Sequence, residues 1–516
     1  MTDIERSEPS GFLEDAAHFP GGHATGVVFP RTAEDAREIL LTSSSVLPIG
    51  AQSSLTGGAT PMGELVLSTS KMRRILETTP THVTVEAGLT IAELQEHLAT
   101  AGAWFPPAPT FTGACAGGIV ATNAAGPATF KYGSTRDWVD GLVVVLVDGT
   151  ILELRRGARH ASGRRLDLET RSGTVTVPVP SYVMPQVSKR SAGYFAAPDM
   201  DAIDLFIGSE GTLGVITQVT FRVLSPAPVT ALALVPCTSE AQALELARRL
   251  RDASLVTRRT SDGAGIDAAS IEHMDRRSID ILREDGVDAK NNVAFPSGTQ
   301  LALLVQLELS VGTTAEAAYS AIENALGEDA SDSAIGRFCR LLDQLALLDV
   351  TELALPGDKR RTDELVAIRE GVPAGVNQRV GNAKRDVDAR IEKTAADMVV
   401  PFDRFGEMAE IYRQGFASRG LDFAIWGHLS DGNVHPNVIP RSYEDVVKGK
   451  EAIAEFGRDV ARLGGCPLAE HGVGRNAVKQ ELLRQLYGDD GIEQMRAVKR
   501  ALDPDWKLAP GVIFRA

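Results

Sequence analysis

Cysteine is scarce. Cys115, Cys237, Cys339 and Cys466 are the only four in 516 residues, and no two of them stand at a CxxC or other cluster spacing. Neither a disulfide framework nor an iron–sulfur centre is supported, and a reducing cytoplasm is the expected compartment. Basic residues are also short, 53 Lys and Arg against 68 Asp and Glu for a formal charge of −15. Nucleic acid is therefore excluded as a partner, since phosphate binding needs a dense basic surface. An anionic small substrate would need a local positive pocket. No run approaches the ~18–20 apolar residues of a membrane span, and the polar first ten residues carry no apolar signal core. Secretion and membrane insertion are disfavoured, while peripheral docking at a membrane stays open. Internal repeats and low-complexity arrays are absent as well.

What the chain does have is length for two or three domains and 49 glycines gathered into a few loops. It has nine histidines, and two of them stand in Gly427-His-Leu-Ser-Asp-Gly-Asn-Val-His435. Asp422–Trp426 reads as a strand and His435–Ile439 as another, with Asp431-Gly432 suited to a two-residue hairpin turn. That turn predicts that His428 faces His435, and directly opposed Cβ atoms lie roughly 4.5–5.5 Å apart. Two imidazoles so placed can share a metal ion. Glu470, in Glu470-His471-Gly-Val-Gly474, is the natural third ligand for a divalent metal with an open position, and His471 is then free to act as a base.

Earlier in the chain, Val27–Pro30 and Val46–Ile49 are strand-like, with Thr32 capping a helix over 33–41 between them. Gly50-Ala-Gln-Ser-Ser-Leu-Thr-Gly-Gly58 has the composition in which consecutive backbone N–H groups grip a pyrophosphate, without being a G-x-G-x-x-G or a P-loop. His82–Gly88 alternates as a strand, and Thr90 with Glu93 forms a capping box on a helix through Ala101. Gly113–Gly126 is nearly free of bulky side chains, so a large flat ligand can lie against its main chain. Leu142–Thr150 reads as a buried strand ending in a turn.

The succession of Ser53-Ser-Leu-Thr-Gly57, Val85-Glu-Ala-Gly88, Gly117-Gly-Ile-Val-Ala-Thr-Asn-Ala-Ala-Gly126, Tyr132-Gly133 and Ile207-Gly-Ser-Glu-Gly-Thr-Leu-Gly-Val-Ile216 resembles the PCMH-type FAD-binding domain of the vanillyl-alcohol oxidase superfamily. Within it the chain is similar to the FAD-linked D-2-hydroxyacid dehydrogenases, the group of D-lactate dehydrogenase, D-2-hydroxyglutarate dehydrogenase and the flavin subunit of glycolate oxidase. The resemblance implies that Gly50, Ser53, Ser54, Leu55, Thr56 and Gly57 hold the FAD pyrophosphate. It implies that Gly113, Gly117, Gly118, Asn123, Gly126, Tyr132 and Gly133 line the flavin and adenine, and that Gly211, Gly214 and Ile216 close the site. The family's usual Gly-Gly-Gly-Thr-Ser is here Gly50-Ala-Gln-Ser-Ser54, and no histidine stands between Gly50 and Gly58 to attach FAD covalently, so non-covalent FAD is expected. Ser430 stands where the family usually has Gly, and Ala509 replaces Asn in the closing Asp-Pro…Asn-Pro-Gly.

The implied architecture is α+β: a two-lobed FAD-binding domain over 20–226, a cap domain over 227–465 whose antiparallel sheet is covered by helices, and a segment over 466–516 that returns to the first domain. Thr230–Val235 and Leu301–Leu309 are its expected strands, Thr238–Leu250, Ala315–Ala325 and Ile335–Ala346 its helices, and His273 a partly exposed helix residue. The Arg-rich stretch 155–190 reads as a solvated excursion. By resemblance Arg369, on a helix, and Lys393 bind a substrate carboxylate, with Lys384 competing for the lysine role. The expected reaction is oxidation of a D-2-hydroxy acid of the lactate, glycolate or 2-hydroxyglutarate class to the 2-oxo acid. Hydride passes to flavin N5, zinc or manganese assists, and an electron acceptor remains to be identified; a homodimer is the implied assembly. Two rival readings stay open: a phenolic-alcohol or sugar oxidase on the same fold, and a flavin-holding subunit that needs an electron-transfer partner.

Overall fold

Thr32 and Thr90 begin their helices as their sequence positions predict. Each hydroxyl accepts from the backbone N–H three residues on, and Asp35 and Glu93 return a carboxylate to the cap N–H, completing reciprocal capping boxes on Ala33–Thr42 and Ile91–Thr100. The computed structural model describes residues 4–327 and 332–515, and the chain divides into two compact units. One comprises Met1–Gly126, Gly133–Ala227 and Val460–Ala516; the other Pro127–Tyr132 and Pro228–Asp459.

Among the described residues the first unit holds three sheets. Gly26–Phe29 and Val46–Ile49 flank Leu65–Ser68 in parallel, with Glu5–Ser7 added antiparallel at the edge. An antiparallel five-stranded sheet runs in the order Ile75–Thr78, His82–Glu86, Val215–Arg222, Val139–Val145, Ile151–Arg155. The third is the hairpin Arg165–Thr170/Gly173–Pro178. Val28, Leu40, Val46, Leu67, Val145 and Val215 pack in one cluster that also takes in Leu508, so the C-terminal segment is part of this unit's core.

The second unit is built on one antiparallel sheet. Its order is Glu352–Ala354, Val229–Cys237, Leu301–Leu309, Ala268–Asp275, Phe423–His428, Asn433–Val438 and Thr394–Ala395, with Met398–Val399 also on the Asn433–Val438 strand. Helices cover the sheet. The longest, Lys359–Asp386, buries Leu365, Ile368, Val372, Val376 and Val380 at helical spacing against it. With its helices and its antiparallel sheets, the α+β class is that expected. No helix among the described residues is long and apolar enough to cross a membrane.

Three local expectations are corrected. The helix expected to stop at Leu250 runs Glu240–Thr260, because no Gly or Pro breaks it after its apolar periodicity fades; it ends where Ser261 turns left-handed. His273 lies on the strand Ala268–Asp275 and is buried; burial pushes its imidazole down to about 4, so it stays neutral. The Arg-rich stretch is a solvated hairpin only in part, for near its end Lys189 is buried.

Candidate functional site

In the first unit a cleft of about 320 Å³ is walled largely by main chain and small side chains. Its wall is drawn from Pro48–Leu55, from Ala114–Ala125 and from Glu210–Ile216, with Glu470 and His471 also on it. Of the residues expected to hold the cofactor, Gly50, Ser53, Ser54, Leu55, Gly117, Gly118, Gly211, Gly214 and Ile216 line this cleft. Thr56, Gly57, Gly113, Asn123, Gly126 and Gly133 are not on that wall. Asn123, itself left-handed at φ 48°, accepts the Arg136 N–H at 2.9 Å and so shapes the turn behind it. Tyr132 belongs to the second unit, where its hydroxyl donates to Glu308 Oε2 at 2.6 Å.

The departure in the first loop has a structural account. Gln52 takes a left-handed φ of 49° that glycine would accept freely. Its side-chain amide donates to the carbonyls of Phe12 and Ala59, at 3.0 and 2.9 Å, which holds the turn without glycine.

Behind His471 the chain is braced from two sides. Glu210 accepts the N–H groups of Val473 and Gly474, both at 2.8 Å. Burial pushes its carboxyl up to about 7 against the pull of those two bonds. Gly472 has φ +73°, and a Cβ there would stand 2.9 Å from Glu210 Oε1; at Gly474, φ +59°, a Cβ would stand 2.2 Å from the Thr56 hydroxyl. Arg475 N–H donates to Thr56 O at 3.0 Å, tying the same loop to the first glycine-rich segment. Glu470 is 8% exposed and pairs with Lys189, whose Nζ lies 2.9 Å from Glu470 Oε2; His471 Nε2 is 3.5 Å from Glu470 Oε1. Buried Lys499 donates to Thr212 O, Leu508 O and Asp503, and so fastens the C-terminal segment to the loop carrying Glu210.

The second unit holds the histidine pair. Its hairpin is corrected in register: His428 pairs with Asn433 and Trp426 with His435, so the loop is Leu429–Gly432 rather than Asp431-Gly432. The two histidines are therefore diagonal neighbours, and because Asn433 and His435 point to one face both imidazoles still share a side. Their ring centroids are 5.5 Å apart, and both residues are buried. Two interactions set the longer loop. Ser430 Oγ accepts the Ile271 N–H, and Gly432, at φ +77°, passes so close under Val400 that a Cβ would meet its carbonyl oxygen at 2.1 Å.

His428 has a carboxylate hydrogen-bonded at Nδ1, and His435 has one nearby but beyond hydrogen-bonding distance. Glu272 Oε1 is 2.6 Å from His428 Nδ1, and Asp397 Oδ1 is 3.6 Å from His435 Nδ1. The Glu272 carboxylate at Nδ1 of His428 fixes the tautomer that presents Nε2 as a metal-binding nitrogen, and with the His435 imidazole on the same side the pair fits a divalent ion. Sequence reading missed Glu272, Asp397 and Lys189 in these positions; only the acidic residues' nearness to motif segments hinted at them.

Arg369 projects from the helix Lys359–Asp386, and its Nε donates to Glu272 Oε2 at 2.8 Å. Lys393 lies just before the strand Thr394–Ala395, and burial pushes its ammonium down to about 8. Lys384 is in the last turn of Arg369's helix and is exposed.

A cleft walled by small and glycine-rich segments has room for a large flat ligand against its main chain, and the family matches make that ligand FAD. The profile of the FAD binding domain matches residues 24–155, and that of the "FAD linked oxidases, C-terminal domain" matches residues 228–513, more than half the chain. The chain belongs to the FAD-linked oxidases, in the branch of the D-2-hydroxyacid dehydrogenases, and is an FAD-linked oxidoreductase. It is 26% identical to the glycolate oxidase subunit GlcD of Bacillus subtilis, over 95% of this chain and 88% of the relative. It is 28% identical to the mitochondrial D-2-hydroxyglutarate dehydrogenase of Bos taurus (99% and 80%) and 27% to the D-lactate dehydrogenase of Archaeoglobus fulgidus (95% and 91%). Among solved structures, 4-ethylphenol oxidase from Gulosibacter chungangensis shares the fold at a TM-score of 0.62 and 14% identity, over 96% of this chain and 90% of that one.

Proposed function

We propose that this enzyme oxidises a D-2-hydroxy acid of the lactate, glycolate or 2-hydroxyglutarate class to its 2-oxo acid. The observation that carries the reading is the pair of buried imidazoles of His428 and His435 on one side of the hairpin, that of His428 with a carboxylate at Nδ1, in a chain related to dehydrogenases named for such acids. His428, His435 and Glu470 form the donor set for a divalent ion, zinc or manganese, two neutral nitrogens and one carboxylate being suited to either. When bound, FAD supplies a hydride acceptor and the ion supplies Lewis acidity that lowers the pKa of the substrate hydroxyl.

The residues supply the rest. His471 takes the hydroxyl proton as general base. Arg369 and Lys393 hold the substrate carboxylate, the guanidinium through paired N–H donors and the lysine as a point charge. They provide the positive pocket that a chain of net charge −15 needs for an anion. An electron acceptor distinct from the hydroxy acid then reoxidises the flavin.

The test is an absorbance spectrum and metal analysis of the purified protein, followed by anaerobic addition of D-lactate, glycolate and D-2-hydroxyglutarate in turn. Bleaching of the flavin by one of these acids, lost on chelation and restored by metal, is the expected result. A flavin that stays oxidised with all three, in metal-free protein, would overturn the reading.

A further inference from the structure

Arg369 was expected to meet a substrate carboxylate, yet it already engages one of the protein's own. Its Nε donates to Oε2 of Glu272 at 2.8 Å, and the other oxygen of the same carboxylate lies 2.6 Å from Nδ1 of His428. All three side chains are nearly out of solvent, 11% exposed for Arg369, 6% for Glu272 and 2% for His428. In such surroundings charge-assisted bonds are stronger than in water and polarise one another along the chain.

We propose that Glu272 is a positioning residue that links Arg369 to His428, so that Arg369 tunes the metal site as well as binding substrate. The proposal rests on the reading of His428 as a metal ligand. Glu272 comes from the strand Ala268–Asp275, directly opposite His428 on the neighbouring strand Phe423–His428. The sheet therefore fixes the separation of the two backbones, and the short Oε1–Nδ1 contact follows from register. A carboxylate there holds the ring in one orientation and makes Nε2 a better donor. Arg369 in turn holds the carboxylate on its other oxygen, which keeps Glu272 aimed at His428. Only Nε is committed in this bond, and a guanidinium has four further N–H donors for a second carboxylate.

The test reads the dissociation constant of Mn²⁺ for the FAD-loaded, metal-stripped protein with no substrate present, by titration calorimetry, in wild type and in Glu272→Gln, Glu272→Asp, Arg369→Met and His428→Ala. Flavin absorbance and circular dichroism monitor folding. Glu272→Gln is expected to weaken Mn²⁺ roughly 10–100-fold, with Glu272→Asp between it and wild type. Arg369→Met removes no metal ligand and is expected to weaken Mn²⁺ about fivefold or more. A purely substrate-binding arginine would leave that constant unchanged, and this outcome in Arg369→Met, with His428→Ala losing Mn²⁺, overturns the proposal. It decides the matter even where Glu272→Gln fails to fold. If His428→Ala binds Mn²⁺ as wild type does, the metal reading itself is what fails.

Discussion

Nζ of Lys189 lies 2.9 Å from Oε2 of Glu470, with the lysine side chain at 0% exposure and the glutamate at 8%. Glu470 is on the wall of the cofactor cleft beside His471. The ion pair is anchored from both ends, for Ser191 N–H donates to Leu468 O and Ser191 Oγ to Thr122 O, at 3.0 Å each. The lysine supplies the charge that compensates the buried carboxylate, which on the proposed reading is a metal ligand.

Removing that lysine alone leaves the carboxylate out of water without its cation. Lys189→Met should cost roughly 3–5 kcal/mol of unfolding stability, the usual consequence of breaking one side of a buried pair. The double variant Lys189→Met/Glu470→Met should recover most of it, because both charges are then gone. Urea unfolding of the three proteins checks this, and a Lys189→Met protein as stable as wild type would refute it.

At Gly472 and Gly381 the same substitution should act in opposite directions. Gly472 is left-handed at φ +73° with Glu210 Oε1 2.9 Å from the position of a Cβ, whereas Gly381 is in the helix Lys359–Asp386 with nothing within 4 Å. Gly472→Ala is expected to lower stability by roughly 1–2 kcal/mol from backbone strain alone. It should also weaken FAD binding, since Glu210 must move from its bonds to Val473 and Gly474. Gly381→Ala is expected to raise stability by about 0.4–1 kcal/mol. Thermal unfolding with a fluorescence titration of FAD measures both.

Which parts of this were legible in sequence follows the range of the interaction. The boxes Thr32/Asp35 and Thr90/Glu93 act over three residues, and the glycine-rich segments announce close main-chain approach by composition alone, so both were readable. The hairpin register was not. Asp431-Gly432 is a good local turn, but Ser430 bonded to Ile271 and Gly432 seated under Val400 select the longer loop, and neither partner is local. His273 misled because Ala268–Asp275 is buried on both faces and so lacks the alternation that marks a strand. Lys189 and Glu272 were missed for the same physical reason. A charged residue reads as surface until a partner far along the chain, 281 residues from Lys189 to Glu470 and 156 from Glu272 to His428, brings it inside.

His471→Asn should separate chemistry from binding. Asparagine keeps a polar side chain on the cleft wall but cannot take a proton, so anaerobic flavin reduction by the hydroxy acid should slow by roughly 10²–10⁴-fold, while the oxidised-flavin spectrum and metal content stay as in wild type. A near-wild-type reduction rate would remove His471 from the role of base.

On the proposed role of Lys393 in holding the substrate carboxylate, substrate affinity depends on pH in a stated direction. Its ammonium is pushed by burial from 10.5 to about 8, so the charge that attracts the substrate carboxylate is present below about pH 8 and lost above it. KM for the hydroxy acid should therefore rise from pH 8 to 9.5, and Lys393→Met should have a high KM that is flat over that range. The linked stability runs the other way. Between pH 8 and 10.5 the unfolded chain holds this proton and the native chain does not, so this group's contribution to stability rises with pH across that window, and below pH 8 its cost is fully present. A KM that stays flat to pH 9.5 in wild type would show that Lys393 does not meet the substrate, and a substrate-binding charge would then have to come from Arg369 alone.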